Sequence, residues 1–373
     1  MQYREFGNLG YHISALGFGA MRLPMKGDHV DEETSIEMIH RAFELGVNYI
    51  DTAEPYCNGE SEIVVSKALK GWRDKVWLST KNWKNDQPTG PWRQMLDNQL
   101  RKLDVDYIDV YHMHGISWEL FDNYISRPGM ALEAAHKAKD EGLIRHISFS
   151  FHDTPEALCK IIDAGCFESV TLQYNLLDRA NEPGIARAHE KGMGVVVMGP
   201  VGGGRLGAPS PEVQALIPGG SKSTAEVALR FVLANPGVSC AISGMANLAM
   251  VEENCATASR QEPLSTEEKD AIEAQLEEKK RLAELYCTGC NYCMPCPNGV
   301  NIPGNFHAMN MLRVYGLKEL ARGLYQQFGE DKENNLPASA CVECGECEPK
   351  CPQHIPIIAQ LKETHRALGK GEK

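Results

Sequence analysis

Two groups of residues in this 373-residue chain have the types and spacing to do chemistry. The first is Asp51-Thr-Ala-Glu-Pro-Tyr56, where an apolar run, Val47-Asn-Tyr-Ile50, ends on a carboxylate and a phenol follows in a loop. A carboxylate at the end of a strand with a phenol a few residues on is where a β/α barrel places its reacting groups. The second is a pair of cysteine runs, Cys287-Thr-Gly-Cys290-Asn-Tyr-Cys293-Met-Pro-Cys296-Pro297 and Cys341-Val-Glu-Cys344-Gly-Glu-Cys347-Glu-Pro-Lys-Cys351-Pro352. The later run has the C-x2-C-x2-C-x3-C-P spacing of bacterial [4Fe–4S] ferredoxins, in which three thiolates wrap one cube and the fourth reaches another. The earlier run departs from it, with two residues before its last Cys. Paired C-x2-C motifs also build four-thiolate zinc sites. Two runs of four that both end in Cys-Pro favour two cubes.

These residues need elements to hold them. Eight short apolar runs read as strands: Leu16–Gly19, Tyr49–Asp51, Val76–Lys81, Ile108–His114, His146–Ser150, Ser169–Gln173, Val195–Met198 and Cys240–Ser243. Amphipathic segments of about ten residues alternate with them, and several stop at a glycine suited to a C-cap, at Gly46, Gly142 and Gly192. Eight such repeats in roughly 250 residues fit a (β/α)8 TIM barrel better than a doubly wound open sheet. The leading segment Tyr3–Ser14 reads as a hairpin that plugs one end. The expected domains are a barrel over 1–262, a connecting helix over 263–285 opened by a Ser265/Glu268 capping box, and a small α-helical ferredoxin-like domain over 286–373. Helices are expected within that domain at Asn305–Val314 and Leu317–Phe328.

Composition narrows the partners. Hydrophobic content of 43% and charged content of 24% are those of a globular protein, and the net charge of −12 disfavours nucleic acid and anionic membrane surfaces. No apolar stretch reaches the length of a membrane span and no signal peptide is visible, so a cytoplasmic location is expected. Of 13 cysteines, eight crowd into the two runs, which argues for metal ligation and against disulfides. Thiolate clusters suit a reducing, anaerobic cytoplasm.

Reading the strand ends adds Lys81 and His114 to Asp51 and Tyr56. Singly, each of these can be an ordinary rim charge or a core histidine. Together they stand in the chain order of the aldo-keto reductases, and residues 1 to about 260 resemble that family. The resemblance is carried by Leu16-Gly-Phe-Gly19, Asn48-Tyr-Ile-Asp-Thr-Ala-Glu-Pro-Tyr56, Gly59-Glu-Ser-Glu62, Leu78-Ser-Thr-Lys81, Asp106-Tyr-Ile-Asp-Val-Tyr-His-Met-His114 and Ile144-Arg-His-Ile147. With the cysteine runs, the chain resembles the branch that has a C-terminal iron–sulfur module. By analogy with ferredoxins, Cys287, Cys290, Cys293 and Cys351 hold one cluster, and Cys341, Cys344, Cys347 and Cys296 the other.

The resemblance implies a nicotinamide cofactor, NAD(P)H, and a small carbonyl or alcohol substrate. Reducing a carbonyl needs a hydride on carbon and a proton on oxygen. A free phenol is a poor acid at neutral pH. A Lys81 ammonium beside Tyr56 would make it a better one, with Asp51 pairing the ammonium and His114 orienting the substrate oxygen. His112 rivals His114, because alternation sends both to one face; the motif match favours His114. Trp83 and Trp118 are candidates for the substrate pocket. The cofactor residues implied are Met21, Ser150, Gln173, Gly199, Val201, Gly202, Arg205, Gly244, Met245, Glu253 and Asn254. Phe151 stands where the family usually has Asn, and Thr171 where it usually has Gln. Gly244 and Met250 occupy places where NADP-preferring members often carry Lys and Arg, which leaves NAD and NADP both open. The clusters are either structural or pass electrons to a redox partner protein. The alternative function is an electron-transfer or redox-sensing protein that uses the barrel as a ligand-binding scaffold.

Overall fold

The structure is a computed structural model. It describes residues 1–207, 209–217, 221–260, 264–287, 293–329, 334–351 and 355–369, and the side chains of all these except 205 and 279–286. Eight parallel strands close into a barrel: β1 (Leu16–Gly19), β2 (Tyr49–Asp51), β3 (Trp77–Asn82), β4 (Ile108–Ile116), β5 (Ile144–Phe151), β6 (Ser169–Gln173), β7 (Gly194–Met198) and β8 (Cys240–Ser243). They neighbour one another in chain order, with β8 hydrogen-bonded to β1. Each strand lies within two or three residues of its expected bounds, because period and punctuation mark them: apolar runs end at rim residues, and helices end at glycine. Gly46, Gly142 and Gly192 all adopt positive φ, the left-handed geometry that terminates a helix without a Cβ clash.

Eight helices follow the strands: α1 (Glu32–Glu44), α2 (Ser61–Ala68), α3 (Thr89–Leu103), α4 (Ala131–Asp140), α5 (Pro155–Asp163), α6 (Glu182–Glu190), α7 (Thr224–Ala234) and α8 (Leu248–Ala258). Side chains cap several N-termini. Asp31 accepts from the Thr34 hydroxyl at 2.8 Å, Thr154 from Ala157 N at 3.3 Å, and Asn247 from Met250 N at 2.9 Å. The leading segment forms the expected hairpin, Tyr3–Glu5 paired with His12–Ser14. Its Phe6 and Ile13 are fully buried against Tyr49, Val110, Val196 and Cys240 from the barrel interior, so the hairpin seals the end opposite the strand C-termini. Gly194 gives the Phe6 ring its place: a Cβ there would overlap the ring.

The chain divides into two compact units, Met1–Gly204 with Ala228–Leu264, and Arg205–Val227 with Ser265–Lys373. This differs from the unbroken 1–262 barrel domain expected from sequence. The physical reason lies in the segment between β7 and α7. Ser210 Oγ donates to Tyr315 O at 2.7 Å, and Glu212 lies against Gly316.

In the second unit the capping box forms as expected. Ser265 N donates to Glu268 Oε2 at 2.8 Å, and Glu268 N to Ser265 Oγ at 3.1 Å, opening a helix over Thr266–Tyr286. Helices Ile302–Arg313, Lys318–Gln326 and Ile357–Leu368 bury Val300, Ile302, Phe306 and Leu361. Two devices draw the cysteine runs together. A bridge pairs Val300 with Leu336, tying the segment just after the first run to the one just before the second. Asn305, fully buried, donates to Asn301 O at 2.7 Å and to Leu336 O at 3.2 Å, and accepts from Ala338 N at 2.9 Å. Among the described residues no helix is long and apolar enough to cross a membrane.

Candidate active site and cluster module

The C-terminal ends of β2, β3 and β4 bring Asp51, Lys81 and His114 to one arc of the barrel rim, and the loop after β2 brings Tyr56 over it. Lys81 Nζ donates to Asp51 Oδ1 at 2.6 Å and to Thr52 O at 2.8 Å. Both side chains of the pair are almost fully buried. The ammonium sits 4.9 Å from the centre of the Tyr56 ring. Burial alone would push the Lys81 ammonium down, but Asp51 and then Tyr56 hold it above the ordinary lysine value. His114 faces Tyr56 edge-on, with ring centres 6.3 Å apart. Burial first, then the Lys81 charge, lowers its pKa to about 4, so it is a neutral imidazole at physiological pH.

Geometry separates the two histidines that alternation leaves equivalent. His112 is one step deeper in the barrel, fully buried, with Nε2 at 2.8 Å from Ser79 Oγ. Ser79 Oγ in turn donates to Asp51 Oδ2 at 2.7 Å. Burial and Lys81 lower the His112 pKa to about 3. His112 therefore braces Asp51 from below through Ser79, while His114 is at the mouth. Within Leu78-Ser-Thr-Lys81 the sequence gives Ser79 no role of its own. Its only signal is position, two residues before Lys81 and so on the same strand face.

The loop that carries Tyr56 is held as well. Ser61 Oγ donates to Ala20 O and lies 2.8 Å from Thr52 Oγ1, which links the turn after β1 to the residue whose carbonyl receives Lys81. Cys57 and Asn58, next to Tyr56, both adopt left-handed φ of 52° and 57°, a conformation that costs non-glycine residues energy and fixes the loop sharply.

The residues expected to hold the cofactor lie on the other arc, formed by β5 to β8 and β1. Ser150 is buried and its Oγ accepts from Gly115 N at 2.7 Å. Gln173 ends β6 beside Gly199, where a Cβ would approach its amide to 2.6 Å; Thr171 is fully buried below it. Gly199 and Gly202 take positive φ and Val201 is buried. The Arg205 side chain lies outside the described residues. Met21 is exposed, Met245 is fully buried, Glu253 is exposed on α8, and Asn254 Nδ2 donates to Ser243 Oγ at 3.2 Å. Phe151 is buried against Phe149, so it brings no polar group to this arc, where Ser150 and Gln173 do. Glycines that leave room at β7 and β8 fit a phosphate-bearing ligand at that rim. Trp83 is half exposed with Lys84 Nζ 3.8 Å from its ring centre, and Trp118 N donates to Asp153 Oδ2 at 3.0 Å.

In the second unit Cys293, Cys296, Cys341, Cys344 and Cys347 line one cavity, with Asn298 Nδ2 3.8 Å from Cys344 Sγ. Cys351 is buried in the adjacent core, against which Cys287 packs. Cys290 lies outside the described residues. Among the described residues no three His, Cys, Asp or Glu side chains converge on a single-ion point. Thiols that surround a space suit a cube, whose irons sit at its corners.

The sequence matches the model of the aldo/keto reductase family over residues 15–277. The chain belongs to the aldo/keto reductase family. Residues 286–355 match the model of a 4Fe-4S dicluster domain. The chain is 29% identical to L-galactose dehydrogenase of Arabidopsis thaliana over 316 residues, covering 76% of this chain and 96% of that one. It is 28% identical to an uncharacterized oxidoreductase of Bacillus subtilis over 308 residues, covering 74% and 96%. The solved aldo-keto reductase of Bacillus halodurans, in its holo form, superposes with a TM-score of 0.64 at 31% identity, covering 74% of this chain and 96% of that structure. The chain is thus an aldo-keto reductase-type oxidoreductase with an appended iron–sulfur domain.

Proposed function

We propose that this oxidoreductase interconverts a carbonyl and an alcohol with a nicotinamide dinucleotide, and that Tyr56 moves the proton. The observation that carries the reading is the buried Lys81 ammonium, held between the Asp51 carboxylate at 2.6 Å and the Tyr56 ring at 4.9 Å. The hydride for the carbonyl carbon is the chemistry that a nicotinamide would supply when bound. Tyr56 gives its proton to the carbonyl oxygen, and Lys81 stabilises the charge left on the phenol oxygen. His114, neutral, donates a hydrogen bond to the same oxygen and orients it. Asp51 keeps Lys81 charged and in place. In the oxidative direction Tyr56 takes the proton back. Ser150 and Gln173 are the side chains we assign to the nicotinamide end, and the Gly199–Gly202 turn to the phosphates.

Cys287, Cys290, Cys293 and Cys351 would hold one [4Fe–4S] cluster, and Cys341, Cys344, Cys347 and Cys296 the other. Five of these thiols share one cavity, which supports a module built for clusters. Free thiols in such number suit a reducing cytoplasm.

The test is Tyr56→Phe, assayed anaerobically with NADH and NADPH against a panel of aldehydes, ketones and sugars. One relative is by name a sugar dehydrogenase, so aldoses begin the panel. Turnover should fall to background while dinucleotide binding persists. Unchanged turnover would overturn the assignment of Tyr56.

A further inference from the structure

Gly244 and Met250 leave the rim at β8 without the cations that often hold cofactor phosphate, in a chain of net charge −12. The structure offers a cation from elsewhere. Arg22 ends the single turn Ala20–Arg22 that follows β1. Its stem runs along Gly244: a Cβ there would meet Arg22 Cβ, Cδ and Cγ at 3.4 to 3.7 Å. Its guanidinium reaches the loop after β7, where a Cβ on Gly203 would stand 3.4 Å from Nη2. Gly202, Gly203 and Gly204 all take positive φ, so that loop turns tightly beside the guanidinium with no side chain in the way. Arg22 is exposed, and among the described residues no carboxylate pairs with it.

The turn is also rigidly placed. Ser61 Oγ donates to Ala20 O at 2.8 Å, and Gly19 approaches β8 so closely that a Cβ would lie 3.3 Å from Ser243 O. A guanidinium carried on that turn and lying over bare backbone, at the rim where such barrels hold phosphate, is placed to donate to an anion in a forked contact.

We propose that Arg22 is the cofactor-phosphate clamp of this enzyme, supplying from the β1 loop the charge missing at Gly244 and Met250. This rests on the nicotinamide reading above. The two sources of phosphate are the diphosphate bridge, common to both dinucleotides, and the 2′-phosphate of NADPH alone.

The experiment measures equilibrium dissociation constants of NADH and NADPH by fluorescence, without substrate, for the wild type, Arg22→Gln and Arg22→Lys. Binding by Arg22→Gln should weaken roughly tenfold or more, as loss of a charge-assisted hydrogen bond requires. Arg22→Lys should recover part of it, as a point charge without the fork. Equal weakening for both dinucleotides assigns Arg22 to the diphosphate; weakening confined to NADPH assigns it to the 2′-phosphate. If the wild type binds and Arg22→Gln binds equally well, the clamp is wrong and the nicotinamide reading stands. If the wild type binds neither dinucleotide, the nicotinamide reading fails and takes the clamp with it.

Discussion

Lys81 Nζ lies 2.6 Å from Asp51 Oδ1, with both side chains almost wholly withdrawn from water. Burying two charges is costly, and the pair is tolerated because each is well partnered. Thr52 O takes a second ammonium proton, and Ser79 Oγ donates to the other carboxylate oxygen.

Removing one partner strands the other. Asp51→Asn should cost about 3–5 kcal/mol of stability at neutral pH, read by urea unfolding, and should reduce turnover by orders of magnitude. The pH dependence carries the signature. Lys81 has a raised pKa in the folded state. Its contribution is therefore full below the unfolded lysine value, about 10.4, and is lost as pH rises through the higher folded value. In Asp51→Asn the unpaired Lys81 can shed its proton instead. The stability gap between the two proteins should narrow as pH rises towards 11. A gap that stays constant with pH would remove the buried pair as its cause.

The two histidines of β4 act in the opposite range. His112 is lowered to about 3 and His114 to about 4, both below the unfolded value of about 6.5. The unfolded chain then binds more protons between these limits, so stability falls as pH drops from about 6.5. Replacing His112 by Gln should flatten that slope. For catalysis, the profile of kcat/KM against pH should show no inflection near 6.5 from His114. An inflection there that disappears in His114→Gln would contradict the neutral, half-buried imidazole.

How much of this was legible in the sequence follows from what one-dimensional patterns record. Strand ends and glycine caps are local, so they put Asp51 and Lys81 at the rim, while His114 is preferred over His112 only by its match to the family motif. Depth within the barrel is not local. His112 and His114 share a face, and only the strand's tilt and register put one beneath Asp51 and the other at the mouth. Ser79 was invisible because a serine in a buried strand has no signature until its partners are known. Arg22 has no signal in the sequence, since its place beside Gly244 depends on β1 pairing with β8. The excursion of residues 205–227 into the second unit depends on tertiary partners such as Tyr315, which no pattern within the segment names. The cysteine spacing, by contrast, is a local pattern, and the 4Fe-4S dicluster domain match falls on it.

That spacing makes the last expectation quantitative. Cys344 is the exposed member of the ring of thiols around the cavity, and lies with Cys341, Cys347 and Cys296 in one proposed ligand set. Cys344→Ala should lower the iron and acid-labile sulfide of anaerobically purified protein by about half, since one cube of two loses a ligand. Cys255 is different: it is buried on α8, and burial pushes its thiol up to about 11. Cys255→Ser should leave the iron content unchanged. Full iron content in Cys344→Ala, or zinc in place of iron in the wild type, would overturn the two-cube assignment. Loss of all the iron would instead mean that the two sets fold as one unit, and a Cys287→Ala variant would then lose all of its iron as well.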